Sequence, residues 1–209
     1  MTNCTLCADI GTSANRARWN RPLIETENFV VVPSLGSLVP GWLLIVPKSH
    51  YISMGAIPDL LHSEADALED RTRALLKSEF AEHVIVFEHG PSAANHGTGC
   101  GVDHAHLHLV PLNCDLVEQV RPFVPNSLKW KLGNWNERAE AFSLGQDYLY
   151  CKHEDGCGVV AVSDDFGSQV FRKAISGHLG MAEKFNWREH PRLETVGQTI
   201  AVLTPCLAA

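Results

Sequence analysis

Positive charge is scarce in this sequence of 209 residues: 17 Lys and Arg stand against 24 Asp and Glu, a formal net charge of −7. Binding a nucleic-acid polymer draws on clustered cations that release counterions, so no nucleic-acid polymer is expected as a partner. Long hydrophobic runs are lacking as well. The longest, GWLLIVP at residues 41–47, is strand-sized and falls well short of the roughly 20 residues of a membrane span. The opening MTNCTLCADIG has neither the basic start nor the apolar stretch of a secretion signal. Cysteine is present but odd in number, seven at irregular spacing, which is unlike a secreted disulfide framework. A soluble, cytoplasmic chain with no membrane partner is the expectation. Its 45% hydrophobic and 20% charged residues suffice for a sizeable core.

The chain divides at about Asp115, without an evident linker or repeat. In the first part, NFVVVPSLGSLVPGWLLIVPKSH predicts two strands, Asn28 to Pro33 and Trp42 to Val46, joined by a stretch rich in turn residues (Gly36, Pro40, Gly41). Leu60, Leu61, Ala65, Leu68, Ala74 and Leu75 then recur in a helical rhythm, with Pro58 where a first turn tolerates it. HVIVFEHG and HAHLHLVPL read as two more strands. The expected fold for residues 1–115 is α+β, an antiparallel sheet with a helix on one face. Residues 116–209 are expected to form a C-terminal α/β extension packed on it. A hairpin turning at Asp155-Gly156 is expected there, then a helix capped by Ser168 and ended by Gly180, and a last helix from Leu193 to Leu203. Phe171, Ala174, Ile175 and Leu179 form the core face of the first helix. Ser168, Gln169, Arg172 and Lys173 are assigned to its solvated face, with a phosphate-facing edge as the alternative. Trp130, Trp135 and Trp187 are expected to fill core or interface, base stacking being the alternative.

The stretch GCGVDHAHLHLVPL carries His104, His106 and His108 at two-residue spacing. On a strand, such residues share a face and rise roughly 6.6 Å per pair. Ala105, Leu107 and Leu109 would pack on the core, and the histidines would face a cleft. The competing reading, three solvated histidines on an exposed strand, sits poorly with the apolar LVPL that follows and the glycines that precede. A second cluster is Cys4-Thr5-Leu6-Cys7, whose spacing lets two thiolates share a tetrahedral zinc, ordinary buried thiols being the alternative. Cys151, His153 and Cys157 form a rival trio, but an Asp-Gly turn explains that stretch without metal. His96, His178 and His190 are taken as ordinary surface or core histidines.

The run from His104 to Val110 resembles the His-apolar-His-apolar-His-apolar-apolar signature of the histidine triad (HIT) superfamily of nucleotide hydrolases and transferases. LIVPKSH upstream is similar to that family's PK/R-x-H segment. The resemblance covers about the first half of the chain. It departs in the loop before the triad, where Gly99-Cys100-Gly101 is closer to the Gly-Cys-Ser of galactose-1-phosphate uridylyltransferases, and where residues 89–99 carry an insertion. The resemblance implies that His106 attacks the α-phosphorus of a nucleotide, forming a nucleotidyl-histidine intermediate. His108 would donate to a phosphate oxygen, and Asn95, Gly97, Gly99 and Gly101 would approach the phosphate, a plain turn being the other reading of that loop. In the superfamily's zinc-carrying branch the partners of the cysteine pair match His50 and His104, implying a structural zinc on Cys4, Cys7, His50 and His104. His104 therefore has two readings, zinc ligand or member of an active-site relay. Uridylyltransferases carry Gln where this chain has His108, so hydrolysis is the favoured activity. Nucleotidyl transfer to a phosphate or sugar-phosphate acceptor, a non-catalytic nucleotide-binding module and a catalytic metal on all three histidines are the alternatives. A nucleotide or nucleotide conjugate is the expected partner. A homodimer is expected by resemblance, unless the second part covers the same surface.

Overall fold

A computed structural model describes residues 4–11, 21–95, 99, 101–153 and 156–208. Gly97, Cys100, His96 and Asp155, named above, lie outside the described residues. Strands form where apolar and β-branched residues run together: β1 (Ile24–Glu25), β2 (Phe29–Pro33), β3 (Leu43–Pro47), β4 (Val84–Gly90) and β5 (Leu107–Pro111) in the first part, β6 (Lys131–Leu132), β7 (Tyr148–Lys152) and β8 (Gly158–Val162) in the second. They make one eight-stranded sheet in the order β1-β2-β3-β5-β4-β7-β8-β6, with every pairing antiparallel. The α+β antiparallel architecture is as expected. The second part does not merely lie on this sheet; β7 continues it, from Val86↔Lys152 to Gly90↔Tyr148.

The helices are α1 (Thr5–Gly11), α2 (His62–Glu79), α3 (Leu116–Val120), α4 (Trp135–Ser143), α5 (Val170–His178) and α6 (Leu193–Ala208). The strand period of two sorts the sheet into two faces. Phe29, Val31, Leu43, Ile45, Val86, Leu107, Leu109 and Tyr148 pack on one face with Ala65, Leu68 and Leu76 of α2 and Ala141 of α4. On the other face, Ile85, Phe87, Val110 and Leu149 pack with α3 and with Val170, Phe171, Ala174 and Ile175 of α5. Toward the β2 edge of that second face, Val30, Val32 and Val46 meet Leu6 and Ile10 of α1. Helices thus cover both faces, where the sequence pointed to one. The second face is divided, with α1 over one end and α5 over the other.

Two local expectations are corrected. Ser168 is not the cap of α5: Gln169 holds that position in the left-handed region (φ 57), with no side-chain cap bond. The Ser168 hydroxyl instead donates to the Gly99 carbonyl at 3.2 Å. The paired strand also begins at Leu107 rather than at His104, although the Ala105 amide still donates to Tyr51 O at 2.7 Å. A close approach fixes the turn between β2 and β3. A Cβ on Gly36 (φ +70) would fall 2.5 Å from the Trp187 Cβ, so only glycine lets residue 187 lie there.

Candidate active site and metal centre

The alternation ahead of β5 puts His106 and His108 on the second face, and backbone and side-chain partners then fix each ring. His106 Nδ1 donates to the His104 carbonyl at 2.7 Å, which leaves the Nε2 lone pair as its reactive side. The opposite holds at His108. The Trp42 indole donates to His108 Nδ1 at 3.0 Å, so the proton of the neutral ring sits on Nε2. The Phe87 ring stacks on His108 at 4.4 Å and 12° and holds its plane. One histidine therefore offers a lone pair and its neighbour a donor, 4.8 Å apart between ring centroids. Both are buried, at 9% and 3% exposure. Burial lowers the pKa of His106 below its ordinary value against the opposing pull of the carbonyl bond. Burial holds His108 well below it, reinforced by the His106 and Arg172 charges. Both rings are accordingly neutral at pH 7.

His104 belongs to a different constellation. Its Nε2 donates to Pro47 O at 2.8 Å, turning Nδ1 toward the thiols: Cys4 Sγ and Cys7 Sγ each lie 3.4 Å away. Cys7 Sγ is also 3.3 Å from His50 Nδ1. All four ligand atoms lie within 4.8 Å of one another, and no other such cluster occurs among the described residues. Zinc held at about 2.3 Å from sulfur and about 2.0–2.1 Å from nitrogen spaces tetrahedral ligand atoms about 3.5 Å apart. Donor type, number and spacing therefore fit that ion. Burial, more than its other contacts, pushes the His104 pKa down to about 4, so the ring presents a lone pair rather than a proton. Cys151, His153 and Cys157 form no cluster; they sit in the β7–β8 hairpin, where the His153 amide donates to Cys157 O at 3.0 Å.

Between α1 and α5 the second face opens into a cavity. His106 and His108 form part of its lining. Leu6, Val32, Pro33, Leu44, Val102 and Trp187 give it mostly apolar walls, and Arg172 contributes a charge. Two of these residues correct the sequence reading. Arg172 is not on a solvated helix face. It is 1% exposed, its Nε donates to Phe185 O at 2.9 Å, its Nη2 donates to Gly36 O, and its guanidinium lies 4.7 Å over the Trp42 ring. Trp187 likewise lines the cavity. The sequence signal is the apolar crowd around Arg172, with Val170, Phe171, Ala174 and Ile175 leaving little solvated face; in the structure only Lys173 of Val170–Ser176 escapes burial. Trp42 and His89 were also passed over. His89, on the same face of β4, accepts from the Phe171 amide at 3.3 Å, and burial lowers its pKa to about 3.

The loop ahead of the triad is held from the second part. Gly99 O accepts from Ser168 Oγ and from the Gln169 amide, and Gly101 O accepts from Arg188 Nη2. Gly101 has φ +81 and Asn95 φ 60. Asn95 is exposed, donates through its amide to Asp103 Oδ2 at 3.0 Å, and does not line the cavity. Among the described residues no helix is long and apolar enough to cross a membrane.

No family model matches the chain, and no curated protein matches it in sequence. Solved structures do resemble it. A HIT family hydrolase from Legionella pneumophila is 24% identical, with 54% of this chain and 95% of that one covered and a TM-score of 0.41. A zinc-bound histidine triad family protein from Mycobacterium smegmatis is 21% identical, with 68% and 92% covered and a TM-score of 0.42. Yeast Ap4A phosphorylase in complex with AMP is 11% identical, with 86% and 73% covered and a TM-score of 0.41. Likenesses this distant carry no argument about activity. The solved structures that resemble this chain include a HIT family hydrolase, a histidine triad family protein and an Ap4A phosphorylase.

Proposed function

We propose that the chain is a nucleotide hydrolase of the histidine triad type, cleaving a phosphoanhydride or phosphoramidate bond through a nucleotidyl-histidine intermediate. The observation that carries this reading is the His106 Nδ1 hydrogen bond to the His104 carbonyl, which aims a neutral Nε2 lone pair away from the backbone. In the first step the Nε2–phosphorus bond forms as the bond to the leaving group breaks. The leaving group takes its proton from solvent. In the second, water attacks phosphorus, the Nε2–phosphorus bond breaks, and nucleoside monophosphate leaves with His106 restored. His108, whose own proton stays on Nε2 because Nδ1 accepts from Trp42, donates to a non-bridging oxygen as charge develops there. The apolar walls from Leu6 to Trp187 suit a nucleobase and exclude water from the reacting centre.

Cys4, Cys7, His50 and His104 would hold zinc, whose chemistry in a closed Cys2His2 set is to cross-link α1 to the triad segment and hold the His104 carbonyl that His106 uses. The alternative is transfer of the nucleotidyl group to a phosphate or sugar-phosphate acceptor, favoured by the Arg172 charge beside the two histidines. The test is mixing with a panel of labelled nucleotides, quenching in alkaline denaturant, which spares a phosphorus–imidazole bond, and mapping of any label on the chain. Label on His106 with monophosphate release supports the reading, and release that persists in His106→Ala sinks it. Added inorganic phosphate or a sugar phosphate separates the two outcomes, because transfer yields a nucleoside diphosphate or its sugar conjugate.

A further inference from the structure

We propose that Arg172 is a specificity-determining residue that binds the phosphate next to the one His106 attacks, making the site selective for nucleotides with a second phosphate. This deepens the reading above and rests on it. Arg172 is 1% exposed, yet it lines the same cavity as His106 and His108. A guanidinium keeps its charge at any working pH, and burying one is costly unless it is held and used. Hydrogen bonds from Nε to Phe185 O and from Nη2 to Gly36 O orient the fork. Trp42 completes the placement, because one indole both supports the guanidinium face at 4.7 Å and donates to His108. The group expected to touch a phosphate oxygen and the fixed cation therefore share one support. No carboxylate lines the cavity among the described residues.

In a double displacement, leaving group and acceptor pass on the same side of phosphorus, so one cation serves both. A planar guanidinium matches two oxygens of a phosphate at once, which an amine leaving group does not offer. The second part of the chain thus supplies the choice of substrate, and the first part supplies the attacking and donating histidines. Segment 185–192 keeps Arg172 in register: Pro191 O accepts from the Gly36 amide at 2.8 Å and Arg192 Nε donates to Ser37 O at 2.9 Å.

The test is equilibrium binding of adenosine, AMP and ADP, with the uridine series in parallel, to the full His106→Ala chain, which cannot turn over. A diphosphate should bind about tenfold or more tighter than its monophosphate. Arg172→Gln should shrink that gap below about threefold and leave nucleoside affinity in place. An unchanged gap overturns the proposal. Should Arg172→Gln fail to fold, Arg172→Lys decides: an amine that cannot match two phosphate oxygens should narrow the gap below about threefold, and a gap that stays about tenfold overturns the proposal. Failure of the hydrolase reading shows separately, as a native chain that releases no monophosphate while the gap stands.

Discussion

His104 and His106 are two residues apart in one segment, and their rings are wired in opposite senses. His104 gives its Nε2 proton to Pro47 O and turns Nδ1 to the two thiols. His106 gives its Nδ1 proton to the His104 carbonyl and keeps Nε2 for the cavity. Nothing intrinsic to histidine distinguishes them. The carbonyl each one meets decides which nitrogen stays available, and with it whether the ring suits a metal or phosphorus. A metal in the first region would cross-link the segment, while in the cavity region the backbone bond turns the His106 Nε2 toward the cavity.

That division predicts opposite phenotypes. His106→Ala should lower monophosphate release at least about 10³-fold, the scale for losing an attacking group, with zinc content and thermal midpoint kept. Zinc lost from that variant would merge the two regions and break the comparison. Cys7→Ser should do the reverse, because Cys7 Sγ touches both ligating rings. Atomic absorption should find zinc gone, and the midpoint should drop by roughly 10 °C for a chain of this size. Thr5 and Leu6, between the two cysteines, line the cavity, so nucleotide affinity should weaken too. Stability and affinity untouched by zinc loss would show that the cluster is only a set of neighbouring thiols and imidazoles.

Much of the first part was legible because its signals are local. Period-two alternation separated Leu107 and Leu109 from His106 and His108, and the helical rhythm of α2 was plain. Cys4 and Cys7 are legible from their spacing and His50 and His104 from the resemblance, and the fold brings their four ligand atoms together. What escaped depends on long-range closure. Arg172 looked like one cation on an amphipathic helix. Only the return of residues 185–192 over the turn at Gly36 buries it beside the histidines. Trp42 lies just outside β3, and its bond to His108 exists because Leu44 pairs with His108. No spacing within either segment announces those meetings. The loop from Asn95 to Gly101 was read for its glycines, whereas the structure shows its carbonyls at Gly99 and Gly101 tied to the second part.

A third histidine sharpens the contrast, since His89 is buried on the same face and takes neither role. Its folded pKa of about 3, against an ordinary value of 6.5, means that the unfolded chain binds the proton and the native chain resists it. The stability from keeping His89 neutral is therefore complete above pH 6.5 and is lost as pH falls from there toward about 3. The loss is up to about 1.4 kcal/mol per pH unit. Urea midpoints between pH 7 and pH 4.5 should fall for the native chain and fall less steeply for His89→Gln, whose carbonyl can still accept from the Phe171 amide. Equal slopes would assign the acid limb to other groups.

The smallest effect expected tests whether the wiring of His108 matters to the chemistry or only to packing. Trp42→Phe keeps an aromatic ring near Phe87, which meets Trp42 edge-on at 5.9 Å, but removes the donor to His108 Nδ1. The His108 proton is then free to settle on either nitrogen, and only the Nε2 form donates into the cavity. Loss of a partner that orients a functional histidine commonly costs about tenfold or more, so kcat should fall by about tenfold. The truncation also leaves a gap in a fully buried site, so the thermal midpoint should fall too, by a few degrees. Nucleoside affinity separates the two effects, because a packing defect alone would loosen the cavity and weaken nucleosides and nucleotides alike. A lower kcat with nucleoside affinity and the diphosphate-over-monophosphate gap both unchanged places the loss on the donor bond rather than on the Arg172 support. An unchanged kcat would show that Phe87 stacking alone holds His108 in its working form.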